Sequence, residues 1–299
     1  MTPAVQELRE FAQLKLGEVN RSPAVHRSAA GKGVNVARVL QQLGGHPLLL
    51  GFVGGDTGRL VIELLQRESV RERLTRTDQP TRVCTTLLNH ANGAITELVE
   101  EAQLPGRADW LEFFATFRRS VTQARYLVIA GALMPGASPE IYRKLAQSGV
   151  PVIIDSQREP LLCVLEQRPL IAKLNVHELE NTLRRRFRSE RQIVNGARKL
   201  IARGAQHVVV THGIAGAWLV SPTGVWQYRP PRIKAVNPIG SGDAVTAGIA
   251  RALTEGQTMI EAVRFGVACG AANALTLIAG TVHLKVVRRL VDQVKLRVL

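Results

Sequence analysis

Sulfur and aromatic rings are scarce in this chain: 299 residues hold only three cysteines, three tryptophans and three tyrosines. Cys84, Cys163 and Cys269 are far apart and show no C-x-x-C spacing, which argues against a disulfide framework or a zinc site and for a reducing compartment, the cytoplasm by expectation. Aromatics at 4% are too sparse for the stacking platforms of single-strand nucleic-acid binders, so a nucleic-acid partner is not expected. No G-x-x-x-x-G-K-[ST] run exists, which excludes a P-loop. The longest uncharged stretch, residues 266–282, contains Asn273 and several glycines and alanines; it predicts a buried helix rather than a membrane span. The first residues carry acids and no apolar run, so no secretory signal is expected.

Positive charge is abundant. Lys and Arg number 39 against 24 Asp and Glu, a net +15, a balance suited to nucleic acid, an anionic membrane or small anionic substrates. With 45% hydrophobic and 21% charged residues the chain can bury a large core, which excludes a disordered polymer. The basic run LRRRFRSERQ at 183–192 predicts a solvated helix face.

Short aliphatic runs alternate with helical patterns, as a parallel sheet with crossover helices requires. Strands are predicted at 47–53, 126–130, 152–155, 170–174 and 207–211, each closing on a polar residue or glycine where α/β sheets place their ligands. Residues 2–27 and 81–103 lack a helical period, and the second turns at Asn92-Gly93. They predict a small β layer acting as a lid (1–27 and 81–103) beside an α/β core (28–80 and 104–299).

Two motifs carry chemistry. In NPIGSGDAVTAG, at 237–248, Gly240, Ser241 and Gly242 let backbone amides approach an anion at a helix start, and Asp243 follows in the first turn. Asp243 is either an N-terminal helix cap or a base for a substrate hydroxyl, with the amides holding the charge on a transferring phosphoryl group. In AAGKGVNVARVL, at 29–40, Gly31 and Gly33 flank Lys32 and Asn35 follows; this is a tight turn into a packed helix, or a turn that binds a polar ligand.

Taken together with LGEVNR (16–21), PTRV (80–83), ITELVE (95–100), AGALMPG (130–136), IDSQRE (154–159), KLNVHEL (173–179), VVVTHGIAGAW (208–218) and RFGVACGAANAL (264–275), the chain resembles the PfkB (ribokinase-like) carbohydrate kinases. The resemblance is to the branch of 1-phosphofructokinase and tagatose-6-phosphate kinase. It implies a three-layer α/β sandwich with a mostly parallel central sheet and a small β-sheet lid, ATP and Mg2+ as cofactors, a sugar phosphate as acceptor, and a homodimer through the lid. By the same resemblance Asp243 is the catalytic base and Gly240, Ser241 and Gly242 the anion hole. Asn175 and Glu178 order magnesium through water; Thr211, Gly213 and Gly216 touch the nucleotide phosphates, and Asn273 lies on the adenine side. Gly31, Lys32, Gly33 and Asn35 form the sugar-binding turn, and Arg82 holds the acceptor's phosphate, a task suited to a planar donor fork.

The main departure falls at the start. Relatives open with an apolar strand leading into Asn-Pro-Ala-x-Asp, whereas this chain offers Thr2-Pro3-Ala4-Val5-Gln6, so Gln6 stands where an aspartate binds sugar hydroxyls, and the first strand is expected to be shortened or replaced. The expected activity is transfer of the γ-phosphoryl group of ATP to a phosphorylated ketohexose: fructose-1-phosphate, fructose-6-phosphate or tagatose-6-phosphate. A kinase for a non-phosphorylated sugar or nucleoside, and a non-catalytic sugar-phosphate sensor, remain as alternatives.

Overall fold

In the computed structural model, which describes residues 1–299, two strands come first, β1 (Ala4–Phe11) and β2 (Ala24–Ala30), followed by helix α1 (Lys32–Gln42). Next are β3 (Leu48–Gly54), α2 (Gly55–Arg67), β4 (Arg71–Thr77), β5 (Val83–Asn89), β6 (Ala94–Val99) and α3 (Arg107–Val121). Strand and helix then alternate through β7 (Leu127–Ala130), α4 (Glu140–Ala146), β8 (Val152–Asp155), α5 (Arg158–Leu165), β9 (Ile171–Asn175), α6 (Val176–Leu183), α7 (Glu190–Ala202) and β10 (His207–Thr211). A hairpin of β11 (Ala217–Ser221) and β12 (Gly224–Arg229), helices α8 (Ser241–Thr254), α9 (Met259–Ala274) and α10 (Leu284–Val291), and strand β13 (Lys295–Val298) close the chain.

The central sheet has the order β13-β12-β11-β10-β9-β8-β7. It is parallel from β7 to β10 and antiparallel from β10 to β13, so only half of it matches the mostly parallel sheet expected. The cause is local: Pro222 and Thr223 alone join β11 to β12, and so short a link closes only an antiparallel pair.

Side chains of the central strands alternate between two cores. Ile153, Ile171 and Val209 point into one built with α1, α8, α9 and α10, whereas Val152, Ile154, Ala172, Val208 and Val210 point into another built with α3 to α7. Both faces being covered, β8 and β9 read as nearly unbroken apolar runs. Lys173 is the exception in β9. No helix is long and apolar enough to cross a membrane.

A separate four-stranded sheet has the order β2-β1-β5-β6. Val5 and Ala29 turn one face of it onto α2, and Ala4, Ala30 and Cys84 pack together on the other. The strands β3 and β4 pair only with each other. β3 and β7 each lack a strand partner on one side; residues of or next to both line a pocket with Met1, whose carbonyl accepts from Phe52 N at 3.1 Å, so the two separate sheets leave an interruption there. By the alternation of a strand, Leu48 and Leu50 present their N–H and C=O groups to the same side as Phe52; Leu127 N turns to Pro151 O in the direction of β8, so Val128 and Ala130 face the interruption. Leu48, Leu50, Leu127 and Val128 are accordingly only half-buried, where β8 is buried throughout.

Candidate active site

One end of the central sheet collects the charged residues. β8 ends on Asp155 and β9 on Asn175, and the first turns of α1 and α8 bring Lys32, Asn35 and Asp243 to the same place. Asp155 is fully buried and accepts from Lys173 Nζ at 2.8 Å, Lys32 Nζ at 3.1 Å and Thr246 Oγ1 at 2.6 Å. Burial alone would raise its pKa; the two ammonium groups and the hydrogen bonds from Lys173 and Thr246 outweigh that and hold it well below the usual carboxylate range. Lys173 is 2% exposed, and a lysine inside an apolar strand survives because this partner is waiting for it.

Asp243 has the opposite fate. It is 6% exposed; burial first, then the charge of Asp155, push its pKa up, against the pull of Lys32, Lys173 and a 2.7 Å hydrogen bond from Asn35 Nδ2. Adjacent carboxylates with pKa values driven apart are the arrangement expected when one must exchange a proton and the other must stay charged.

The turn before α8 is shaped for an anion. Gly240 adopts φ +79° and a Cβ there would lie 2.7 Å from Gly280 N, so only glycine fits. Ser241 N–H is spent on Pro238 O at 3.1 Å, while the N–H groups of Gly242 and Asp243 have no backbone acceptor and point outward with the positive end of the helix. Of the amides expected to face an anion, that of Ser241 instead closes the preceding turn, while those of Gly242 and the following Asp243 are left without a backbone acceptor.

Gly31 caps α1 at φ +107°, with Thr2 O 3.0 Å from where a Cβ would stand. Together with Lys32, Gly33, Arg82, Gly131 and Met1 it lines a pocket beside the charge cluster. Arg82 donates through its Nη atoms to Glu100 O at 3.1 Å and Thr2 O at 3.3 Å, and its buried Nε has no partner. Lys32 is already engaged, because its ammonium bridges Asp155 and, at 2.9 Å, Glu178 Oε1; burial opposes its charge, but Asp155, Glu178 and Asp243 together raise its pKa.

Three placements differ from expectation, those of Gln6, Asn273 and Gly216. Gln6 does not line the pocket: its amide donates to Thr86 Oγ1 at 2.9 Å within the four-stranded sheet. Asn273 is fully buried and its amide is used up, donating to Ile239 O and Ser241 Oγ and accepting from Gly280 N and Thr281 N; it braces the turn before α8 and cannot reach a ligand. Asn175 and Glu178 form a reciprocal cap of α6, Glu178 N to Asn175 Oδ1 and Asn175 N to Glu178 Oε2, each at 2.8 Å. Both Glu178 oxygens thus have partners, a donor set that fits a cation held through water and not by direct ligation. Thr211 and Gly213 are accessible at the end of β10, whereas Gly216 is buried, its carbonyl taken by His212 N at 2.7 Å.

A 1-phosphofructokinase of Bacillus subtilis (strain 168) is 30% identical over 299 residues, covering 99% of this chain and 97% of the relative. The model of the pfkB family of carbohydrate kinases matches residues 3–282. The chain belongs to the pfkB family. Among solved structures, phosphofructokinase-2 of Escherichia coli in complex with fructose-6-phosphate superposes with a TM-score of 0.87 at 26% identity, covering 98% of this chain and 96% of that one; a tetrameric inhibited form of the same enzyme gives 0.89 at 26%, with the same coverage. As a pfkB-family member this protein is a carbohydrate kinase with the α/β architecture of those enzymes.

Asp155, Lys173 and Thr246 were not anticipated as site residues. The signal was present for two of them: an aspartate closing the apolar run VIID, and a lysine inside IAKLN. An ionisable group at such a position needs a partner nearby. Thr246, one turn beyond Asp243, gave no such sign.

Proposed function

We propose that this pfkB-family kinase transfers the γ-phosphoryl group of ATP to a hydroxyl of a phosphorylated ketohexose, with Asp243 as the base. The observation that carries the reading is a carboxylate of raised pKa set at a helix start whose own N–H groups are free. Asp243 takes the hydroxyl proton, and the amides of Gly242 and Asp243 receive the oxygens on which charge develops. Thr211 and Gly213 lie where the nucleotide phosphates would rest. Magnesium, held through water by Asn175 and Glu178, would supply charge neutralisation between the two polyanions. Asn35 and the Gly31–Gly33 turn orient the acceptor.

The two cationic side chains that line the pocket, Arg82 and Lys32, support an acceptor that carries phosphate. Fructose-1-phosphate is the first candidate, in keeping with the Bacillus subtilis relative; fructose-6-phosphate and tagatose-6-phosphate share its chemistry. ADP release measured across sugars, nucleosides and sugar phosphates tests this, with turnover expected only on ketohexose phosphates. Preference for a free sugar or nucleoside, or binding without turnover, would overturn it. Arg82→Ala should raise KM for the sugar phosphate by about 10–100-fold, the worth of one or two hydrogen bonds to a charged group, and leave KM for ATP within a few-fold. An unchanged sugar-phosphate KM would remove Arg82 from the acceptor site.

A cytoplasmic homodimer belongs to the same reading. The four-stranded sheet serves as its lid, and edge strand β6 leaves Leu98 and Val99 55% and 56% exposed, an unprotected edge of the kind that pairs with another chain.

A further inference from the structure

Asn35 can act on Asp243 in two opposite ways, because a carboxamide donates from one end and accepts at the other. With Nδ2 toward Asp243 it favours the carboxylate; with Oδ1 toward it, it favours the protonated acid. What decides between them lies one helical turn further along α1. Arg38 is 2% exposed, and its Nη1 donates to Asn35 Oδ1 at 3.3 Å and to Ala279 O at 3.1 Å. A guanidinium has no acceptor, so whichever end of the amide faces it must be oxygen. Arg38 is itself fixed by Ala29 O at the end of β2 and by Glu68 Oε2, 2.6 Å from its Nε, at the end of α2.

Resting on the reading of Asp243 as base, we propose that Arg38 is a positioning residue: it holds the Asn35 amide with N–H toward Asp243, so that the base stays ionised at working pH. The contact with Ala279 adds to this, since the neighbouring Gly280 abuts both Asn35 and Gly240, so one guanidinium supports the acceptor-side amide and the turn before α8 together.

The charged groups acting on Asp243 are Asp155 from β8, Lys173 from β9 and Lys32 from α1. Loss of Arg38 changes none of them. It frees the amide to turn, and Asp243 then titrates at a higher pH.

The test is a pair of titrations of Arg38→Met, Arg38→Lys and Glu68→Gln against the unaltered enzyme. One is kcat/KM against pH, and the other is the carbon-13 shift of the Asp243 carboxyl, which needs no turnover. Arg38→Met should move the Asp243 midpoint upward by about one unit, a roughly tenfold loss of rate below it that is recovered at alkaline pH, whereas Arg38→Lys, whose ammonium is also donor-only, should move it less. Glu68→Gln breaks the ion pair and spares the donor to Asn35, so it should lower the melting temperature without moving either midpoint. An unmoved carboxyl midpoint in folded Arg38→Met overturns the proposal, as does an equal loss of rate at every pH. A carboxyl midpoint that moves while the rate profile does not would leave Arg38 in its role and remove Asp243 from the chemistry.

Discussion

Asp243→Asn should lower turnover by about 10²–10⁴-fold, the usual worth of a positioned general base, while ATP still binds within a few-fold of its original affinity. An amide is nearly isosteric with the carboxyl and keeps a partner for Asn35, but it cannot take the hydroxyl proton. The same carboxyl sets a pH dependence. Its pKa is raised from 3.8 to about 6 in the folded chain, so turnover should fall on the acid side with a midpoint near that value as the base takes up a proton. Stability runs the other way. Between the two values the folded state binds a proton that the unfolded chain does not, so this group's contribution to stability is complete below 3.8 and is lost as pH rises through about 6. Asp243→Asn removes that loss, and its melting temperature at pH 8 should equal or exceed that of the unaltered enzyme. Asp155 contributes with the opposite sign, since its lowered pKa adds stability that is lost as pH falls through the folded value. ADP release and a thermal melt check both halves, and turnover within a few-fold of the original would exclude Asp243 as base.

The second large effect concerns the interruption between β3 and β7. Two strand edges there, from two separate sheets, leave backbone groups unpaired and leucines and a valine half-buried. An engineered extension of six β-branched apolar residues placed ahead of Met1 is positioned to enter, because Met1 already pairs with Phe52. A strand buried on both faces gains about 1.5–3 kcal/mol per large apolar side chain and spends much of it on ordering. The net of a few kcal/mol should raise the melting temperature by roughly 5 °C or more. A Gly-Ser extension of equal length should leave it unchanged, and an equal rise from that control would show that the added strand does not pair.

The sequence made the α/β class legible through period: apolar runs at 152–155 and 207–211 stand as β8 and β10, because a strand with helices on both sides is apolar along most of its length. β4 escaped, since RERLTRT is polar and its strand state is imposed by pairing with β3. The antiparallel half of the central sheet escaped too, for it hangs on a two-residue turn whose effect on strand direction is not written in hydrophobic period. In the site, Gly240 and Gly31 were readable because a backbone demand restricts the residue type. Asn273 was misread because an asparagine in an apolar helix has the same letter whether its amide meets a ligand or four neighbours. Arg38 was hidden inside GKGVNVARVL, where an arginine after an apolar stripe reads as the solvent side of a helix.

The four-stranded sheet joins the rest of the molecule through four chain crossings, at Thr2-Pro3, Gly31, Arg82 and Glu101-Ala102, and all four line the one pocket beside Lys32. The pocket therefore occupies the axle of that sheet and not its rim. An occupant there would touch all four crossings at once and so restrain the sheet at its root.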